Sequence, residues 1–225
     1  MSKMFPFINA KPFNPLAGEC FHKCRYCWVE QLKKIYPVLK AKYSGETRII
    51  EHELKRIKEY KAGDFAFVCD CCDLFGYWVP NELIHRILDA LSTSPATFLL
   101  LTKNPGRYKL FKIPNNCICG ATVESDIDHL LSGPPEISRL QAMMNLEHPN
   151  KMLSVEPIMP FSDGFIGWIQ ATNPNFGVAV GYNNYNSGLP EPSLAETEKL
   201  IADLEKRNIK VYRKTLREPH EAKNQ

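Results

Sequence analysis

Short apolar runs alternate with helix-like stretches along most of the chain. Asp64-Phe65-Ala66-Phe67-Val68-Cys69 reads as a buried strand. Asn81 to Leu91 reads as a helix, because Leu83, Ile84, Ile87, Leu88 and Leu91 recur at helical spacing behind a Pro80-Asn81 start. Thr97 to Thr102 predicts a strand closed by the breaker Asn104-Pro105-Gly106, and Cys117 to Val123 predicts another. Ile127 to Leu146 reads as mainly helical, interrupted at Gly133-Pro134-Pro135. Met152 to Glu156 is a strand pattern stopped by Pro157, and Phe176 to Gly181 is a further one. Leu194 to Lys206 has the pattern of an amphipathic helix with an acidic start, followed by a last strand at Ile209 to Tyr212. Upstream, Trp28 to Tyr43 and Glu51 to Tyr60 look helical, the first kinked at Pro37.

Strands alternating with helices imply parallel β-structure with crossover helices. Six or seven units fit the 225 residues, whereas a complete eight-fold barrel typically needs about 250. The expected fold is therefore an α/β partial (β/α)6-type barrel of mainly parallel strands. It forms a single domain over residues 1–225, with 1–11 as an N-terminal extension and 218–225 as a flexible tail. In such sheets ligands bind beyond the carboxyl ends of the strands. The residues expected there are Cys69-Asp70, Thr102-Lys103, Val123-Glu124, Val155-Glu156 and Gly181-Tyr182-Asn183. Four of these five ends carry a charged group, which favours a shared site over unrelated caps and turns.

Composition alters this picture only at the cysteines. Hydrophobic residues make up 44% and charged residues 24%, as in ordinary globular chains. A net charge of +3 is too mild to argue for a nucleic-acid partner, although a local patch could still bind phosphate. No apolar run reaches the ~18 residues of a membrane span, and no signal peptide is visible. The expectation is a cytoplasmic chain without a membrane partner. Eight cysteines in that compartment point to metal or redox chemistry before disulfides. They fall into three groups: Cys20/Cys24/Cys27, Cys69/Cys71/Cys72 and Cys117/Cys119.

The first group has the spacing C-x3-C-x2-C. Three thiolates on a short loop can hold three irons of a cubane cluster and leave the fourth iron open, whereas ferredoxins close it with a fourth cysteine. A zinc site would need a fourth ligand, for which His22 or Cys69 is available. With an aromatic residue, Tyr26, just before the third cysteine, the motif resembles the signature of the radical S-adenosylmethionine (SAM) superfamily. It also follows a strand-and-turn pattern, Asn14-Pro15-Leu16-Ala17-Gly18, and precedes a helix. The resemblance implies a [4Fe-4S] cluster on Cys20, Cys24 and Cys27, with SAM on the open iron. It further implies that one electron passes to the sulfonium, forming a 5′-deoxyadenosyl radical that abstracts hydrogen from a substrate. An electron donor such as a flavodoxin or ferredoxin is the implied partner.

The likeness extends further. Phe67-Val68-Cys69-Asp70-Cys71-Cys72-Asp73-Leu74-Phe75, Leu99 to Pro105, Ala121-Thr122-Val123-Glu124 and Leu153-Ser154-Val155-Glu156-Pro157 resemble successive strands of the phage Gp37/Gp68-like (DUF5131) family. Val180-Gly181 and Val211-Tyr212-Arg213-Lys214 resemble its last ones, giving coverage of roughly residues 12 to 216. The chain departs from that pattern at Trp28-Val29-Glu30, at the cysteine cluster after the second strand, and at Tyr182-Asn183-Asn184-Tyr185-Asn186. The last two lie where substrate would sit, so the substrate stays open. Nucleic acid is conceivable, because spore photoproduct lyase is a similar compact radical SAM enzyme.

Within this frame Lys103 can pair with the SAM carboxylate. Glu124 and Glu156 can accept from ribose hydroxyls or the SAM ammonium, or can be buried structural acids paired with an arginine such as Arg139 or Arg213. Asp70 and Asp73 lie where the superfamily contacts the SAM amino group, although Asp73 can equally cap a turn. Tyr26 is expected near adenine or simply packed in its loop. Cys71 and Cys72 are the candidate catalytic residues. Together with Cys69 they can ligate an auxiliary cluster, donate a hydrogen atom, or be small buried hydrophobes. Strand alternation would prevent one metal from taking all three without a sharp turn. Cys117 and Cys119 read as core, His85 as packing, and His22 as a loop residue without a duty. The competing function is a non-catalytic iron–sulfur or zinc protein that binds a partner.

Overall fold

The apolar runs pair side by side in chain order. The structure, a computed structural model, describes residues 10–129, 133–185 and 187–219. Seven strands form one parallel sheet: β1 (Lys11–Phe13), β4 (Phe65–Val68), β5 (Thr97–Thr102), β6 (Cys117–Thr122), β7 (Lys151–Val155), β8 (Gly177–Val180) and β9 (Val211–Arg213), in that spatial order. The sheet curls into a half-barrel, open between β1 and β9. Two further short strands, β2 (Leu16–Ala17) and β3 (Arg48–Ile49), pair antiparallel beside it. Lys11 opens β1 and so is part of the sheet, opposite Ala66, instead of the expected N-terminal extension. Most of that extension, and residues 220–225 of the expected tail, lie outside the described residues.

Side chains alternate across the sheet with a period of two. Val68, Phe98, Leu100, Cys117, Cys119, Leu153, Val155 and Val180 join Ile84, Ile87, Leu140, Leu200 and Leu204 in the main core. These last five come from helices α4 (Asn81–Ser92), α5 (Glu136–Met144) and α7 (Leu194–Lys206). Cys117 and Cys119, two residues apart on one strand, are fully buried in this core as read from the sequence. The opposite face carries Phe65, Phe67, Leu99, Ile118, Met152, Ala179 and Tyr212. Past the strand ends the same parity turns polar, from Leu99 through Leu101 to Lys103 and from Met152 through Ser154 to Glu156. The fold thus delivers charged groups to one end of its concave face.

The helical readings hold with local corrections. The Trp28–Tyr43 stretch splits at Pro37 into α1 (Trp28–Lys33) and α2 (Pro37–Lys42), and Glu51 opens α3 (Glu51–Lys55), which runs into a 3-10 turn. A reciprocal capping box starts α7, with the Ser193 hydroxyl accepting from the Glu196 N–H and the Glu196 carboxylate from the Ser193 N–H. Helix α5 begins only after Pro135. Before the break, the Ser125 hydroxyl takes the Ile127 N–H (3.0 Å), and the His129 ring bonds the Pro160 carbonyl (2.8 Å). Such side-chain bonds compete with helix formation. Helix α6 (Phe165–Ala171) was not predicted, since seven residues that include Gly167 give little periodic signal.

Gly18 connects β2 to the cysteine loop. It adopts φ +112°, and its N–H bonds the Lys42 carbonyl at 3.0 Å. A Cβ there would lie 2.6 Å from the Glu46 oxygen and 2.7 Å from the Thr47 Cα, both backbone atoms. Gly18→Ala is therefore expected to lower stability by more than about 1 kcal/mol. It should appear as a lower urea midpoint with an unchanged denaturant slope.

Candidate functional site

The loop from Cys20 to Cys27 is folded by its own backbone. Lys23 takes a left-handed conformation (φ 52°), and the Cys27 N–H closes onto the Cys24 carbonyl at 3.0 Å. Cys27 then occupies the N-cap position of α1. Backbone N–H groups of Val29 and Glu30 point at the Cys27 sulfur, and that of His22 points at Cys20. Burial pushes the Cys27 thiol up and the Cys20 thiol up to about 12, against the downward pull of these amides. Sulfurs already faced by N–H donors suit anionic, metal-bound thiolates.

The loop is anchored through His22. Its Nε2 lies 2.8 Å from Asp73 Oδ2, and its ring packs edge-on against Trp78 at 4.9 Å. Asp73 also accepts from the Phe75 N–H (2.9 Å), the Thr102 hydroxyl (2.7 Å) and the Lys103 N–H (2.9 Å). Burial would raise the pKa of this carboxyl, but His22, Thr102 and the Lys103 amide hold it below the usual range. With four protein donors on it, Asp73 is a tether joining the cysteine loop, the β4–α4 connection and the end of β5. His22, which the sequence left without a duty, is the other half of that tether.

A second buried network lies beside it. Glu124 is fully buried and accepts from Lys103 Nζ, the Tyr26 hydroxyl and, at 2.7 Å, Arg139 Nη1. Arg139 also bonds the carbonyls of Pro134 (2.7 Å) and Thr122 (3.1 Å). Burial favours the neutral acid, yet Lys103 and Arg139 outweigh it and bring Glu124 down to about 2. The structural alternative for Glu124, pairing with Arg139, is the one observed. Glu156 bonds Lys214, not an arginine, and Asn184 (3.3 Å).

These elements surround one cavity of about 810 Å³. Cys20, Cys24, Cys27 and Tyr26 line it, as do Asp70, Asp73, Lys103 and Glu156 from the strand ends. Glu124 lies behind this lining. Asp70 is held by Asn14 Nδ2 at 2.5 Å. Asn183, Asn184 and Tyr185 reach the cavity, whereas Tyr182 is buried with its hydroxyl on Pro192 O (3.0 Å) and Thr197 (2.8 Å). Asn186 lies outside the described residues. Cys69, Cys71 and Cys72 also line the cavity, because Cys69 takes φ 56° and the Cys72 N–H turns back to its carbonyl. That is the sharp turn strand alternation alone could not supply. Six cysteines line this one space, and thiolate is the donor type that iron–sulfur clusters and soft metals take. Among the described residues no three His, Cys, Asp or Glu side chains form a ready single-ion site.

Comparison with known families sets this architecture in context. The family model for DUF5131, a protein family of unknown function, matches residues 8–164. The chain belongs to the DUF5131 family. No curated protein matches it, and no solved structure does. The DUF5131 match takes in the cysteine loop, the Asp73 and Glu124 networks and β1 through β7. It ends before β8, so the likeness drawn for Val180-Gly181 and Val211 to Lys214 lies beyond the matched segment. His85 is exposed on α4 and packs on Phe111 at 5.0 Å, outside the cavity lining.

The Glu124 network makes stability pH-dependent with a defined sign. A carboxyl whose folded pKa lies below its unfolded value stabilises the fold above the unfolded value and loses that contribution as pH falls through the folded one. Wild type should therefore lose stability between about pH 4.5 and about 2. Glu124→Gln should be less stable at neutral pH by about 3–5 kcal/mol, because two buried cations lose their anion. The difference between the two proteins should shrink as pH falls through that window. Urea titrations at a series of pH values measure both effects.

Proposed function

We propose that this DUF5131 protein is a radical SAM enzyme, with Cys20, Cys24 and Cys27 holding a [4Fe-4S] cluster. The observation that supports this reading most is the shared cavity: the three thiols of the C-x3-C-x2-C loop open onto the space where the parallel strands deliver their charged ends. A cluster held by three protein thiolates, with SAM on its fourth iron, would supply a 5′-deoxyadenosyl radical by one-electron cleavage of the sulfonium. The chain's own residues would bind and orient. Asp70, Lys103 and Glu156 line the cavity and are among the polar groups that could meet SAM. Lys103 could exchange part of its bonding with Glu124 for a ligand carboxylate. Asp73 and Glu124, both saturated by protein donors, hold the frame. Tyr26, with its hydroxyl on Glu124, fixes the loop against that frame.

A closed, non-catalytic metal site is the second reading. Cys72, which faces the same cavity and lies within electrostatic reach of Cys20, favours it as a possible fourth ligand. Anaerobic reconstitution with iron and sulfide decides between the two. The enzyme reading expects a ~410 nm absorbance and, on reduction with SAM present, release of 5′-deoxyadenosine. Cys20→Ala, Cys24→Ala or Cys27→Ala should each abolish both signals, and Cys72→Ala should keep the cluster. Loss of the cluster in Cys72→Ala, or a cluster that never cleaves SAM, would favour the closed site. A chain that takes up only zinc would refute the radical reading.

A further inference from the structure

Cys69 and Cys71 have no part in the reading above and Cys72 enters only its closed-site alternative, yet all three lie in the wall of the cavity. We propose that Cys69 and Cys72 form a reversible dithiol–disulfide couple that exchanges with small-molecule disulfides. The proposal does not rest on the cluster or on SAM chemistry.

The backbone sets the distance. Residues 69–72 form a turn closed by the Cys72 N–H on the Cys69 carbonyl at 3.2 Å. A turn of this kind brings its first and fourth Cα atoms within about 7 Å, and disulfides span about 4.4–6.8 Å. The side chains agree, since the thiols of Cys69 and Cys72 lie within hydrogen-bonding reach of each other. The Cys72 S–H donates to the Leu16 carbonyl at 3.8 Å, which leaves Cys69 as the attacking partner and Cys72 as the resolving one. Cys71, between them, is engaged elsewhere: its thiol hydrogen-bonds the buried Tyr43 and contacts Asn14 Nδ2 at 3.9 Å. Both residues line the cavity, Cys69 almost wholly buried and Cys72 half-buried, so a disulfide would approach the pair from the cavity side.

The exchange balances with oxidised glutathione as oxidant. The Cys69 sulfur attacks one sulfur of that disulfide, breaking its S–S bond and releasing one glutathione thiol. The Cys72 sulfur then attacks the Cys69 mixed disulfide and releases the second glutathione thiol. The two protein thiol protons end on the two glutathione thiols. The protein loses two electrons and one oxidised glutathione gains them.

The test uses the full wild-type chain, freed of metal with a chelator and equilibrated without oxygen across a series of reduced-to-oxidised glutathione ratios. It is then denatured, alkylated and digested with trypsin. Residues 62–86 form one tryptic fragment that carries all three cysteines. At oxidising ratios this fragment should become lighter by two hydrogens and carry a single alkyl group, located on Cys71 by fragmentation. Excess reduced glutathione should restore three alkyl groups. Cys71→Ser should retain the bridge. Three alkyl groups at every ratio, a label left on Cys69 or Cys72 in place of Cys71, or a crosslink to the peptide bearing Cys20 would each overturn the proposal.

Discussion

The carboxylate of Asp73 is the constraint on which the candidate site depends. It is buried, and an anion in that position is tolerable only if hydrogen-bond donors replace its water. Here the donors come from three separate stretches of chain: the His22 ring, the Phe75 amide, and the hydroxyl and amide at the end of β5. The cysteine loop has few apolar side chains to bury and no strand of its own in the large sheet. Its position relative to β5 is therefore set by polar contacts, by this acid first and by the Tyr26 hydroxyl on Lys103 and Glu124 beside it, and with them the place where the three motif sulfurs open.

The Glu124 network does comparable work one strand further on, with a different balance. Two cations share one carboxylate, so the cluster of three carries an excess positive charge. Arg139 is sealed beneath Glu124, while Lys103 also touches the cavity. The mobile share of the positive charge thus lies on the side where a ligand would enter. An incoming anion would meet a lysine already desolvated and pointed, at the cost of loosening one bond in an otherwise retained frame.

Much of this arrangement was legible in the residues, for reasons that can be stated. Buried parallel strands are nearly continuous apolar runs, so β5 was readable to the residue, amphipathic spacing gave α7 likewise, and the ends of the apolar runs placed Lys103 and Glu156 at the carboxyl edge of the sheet. Cys117 and Cys119 were readable as core from the same alternation. The pairings were not readable. Nothing in the sequence says that Asp73 meets His22, 51 positions away, or that Glu124 meets Tyr26, 98 away. Such contacts follow from how strands stack, and hydrophobic pattern carries no information about which polar ends face each other. The left-handed turn at Cys69 escaped because cysteine gives no local signal for positive φ. The two-residue strands β2 and β3 are too short to show a period.

Among the described residues an incomplete barrel leaves the outer edges of two strands without a further strand, each a template on which another chain could add one. The outer strands here are three residues each, too short to seed an extended pairing. Pro12, in the middle of β1, has no N–H to offer a newcomer. At the other border Arg213 ends β9 with an exposed guanidinium. The gap that gives the concave face its opening is thus guarded against filling by a neighbour's backbone, which leaves that side free for whatever the cavity receives.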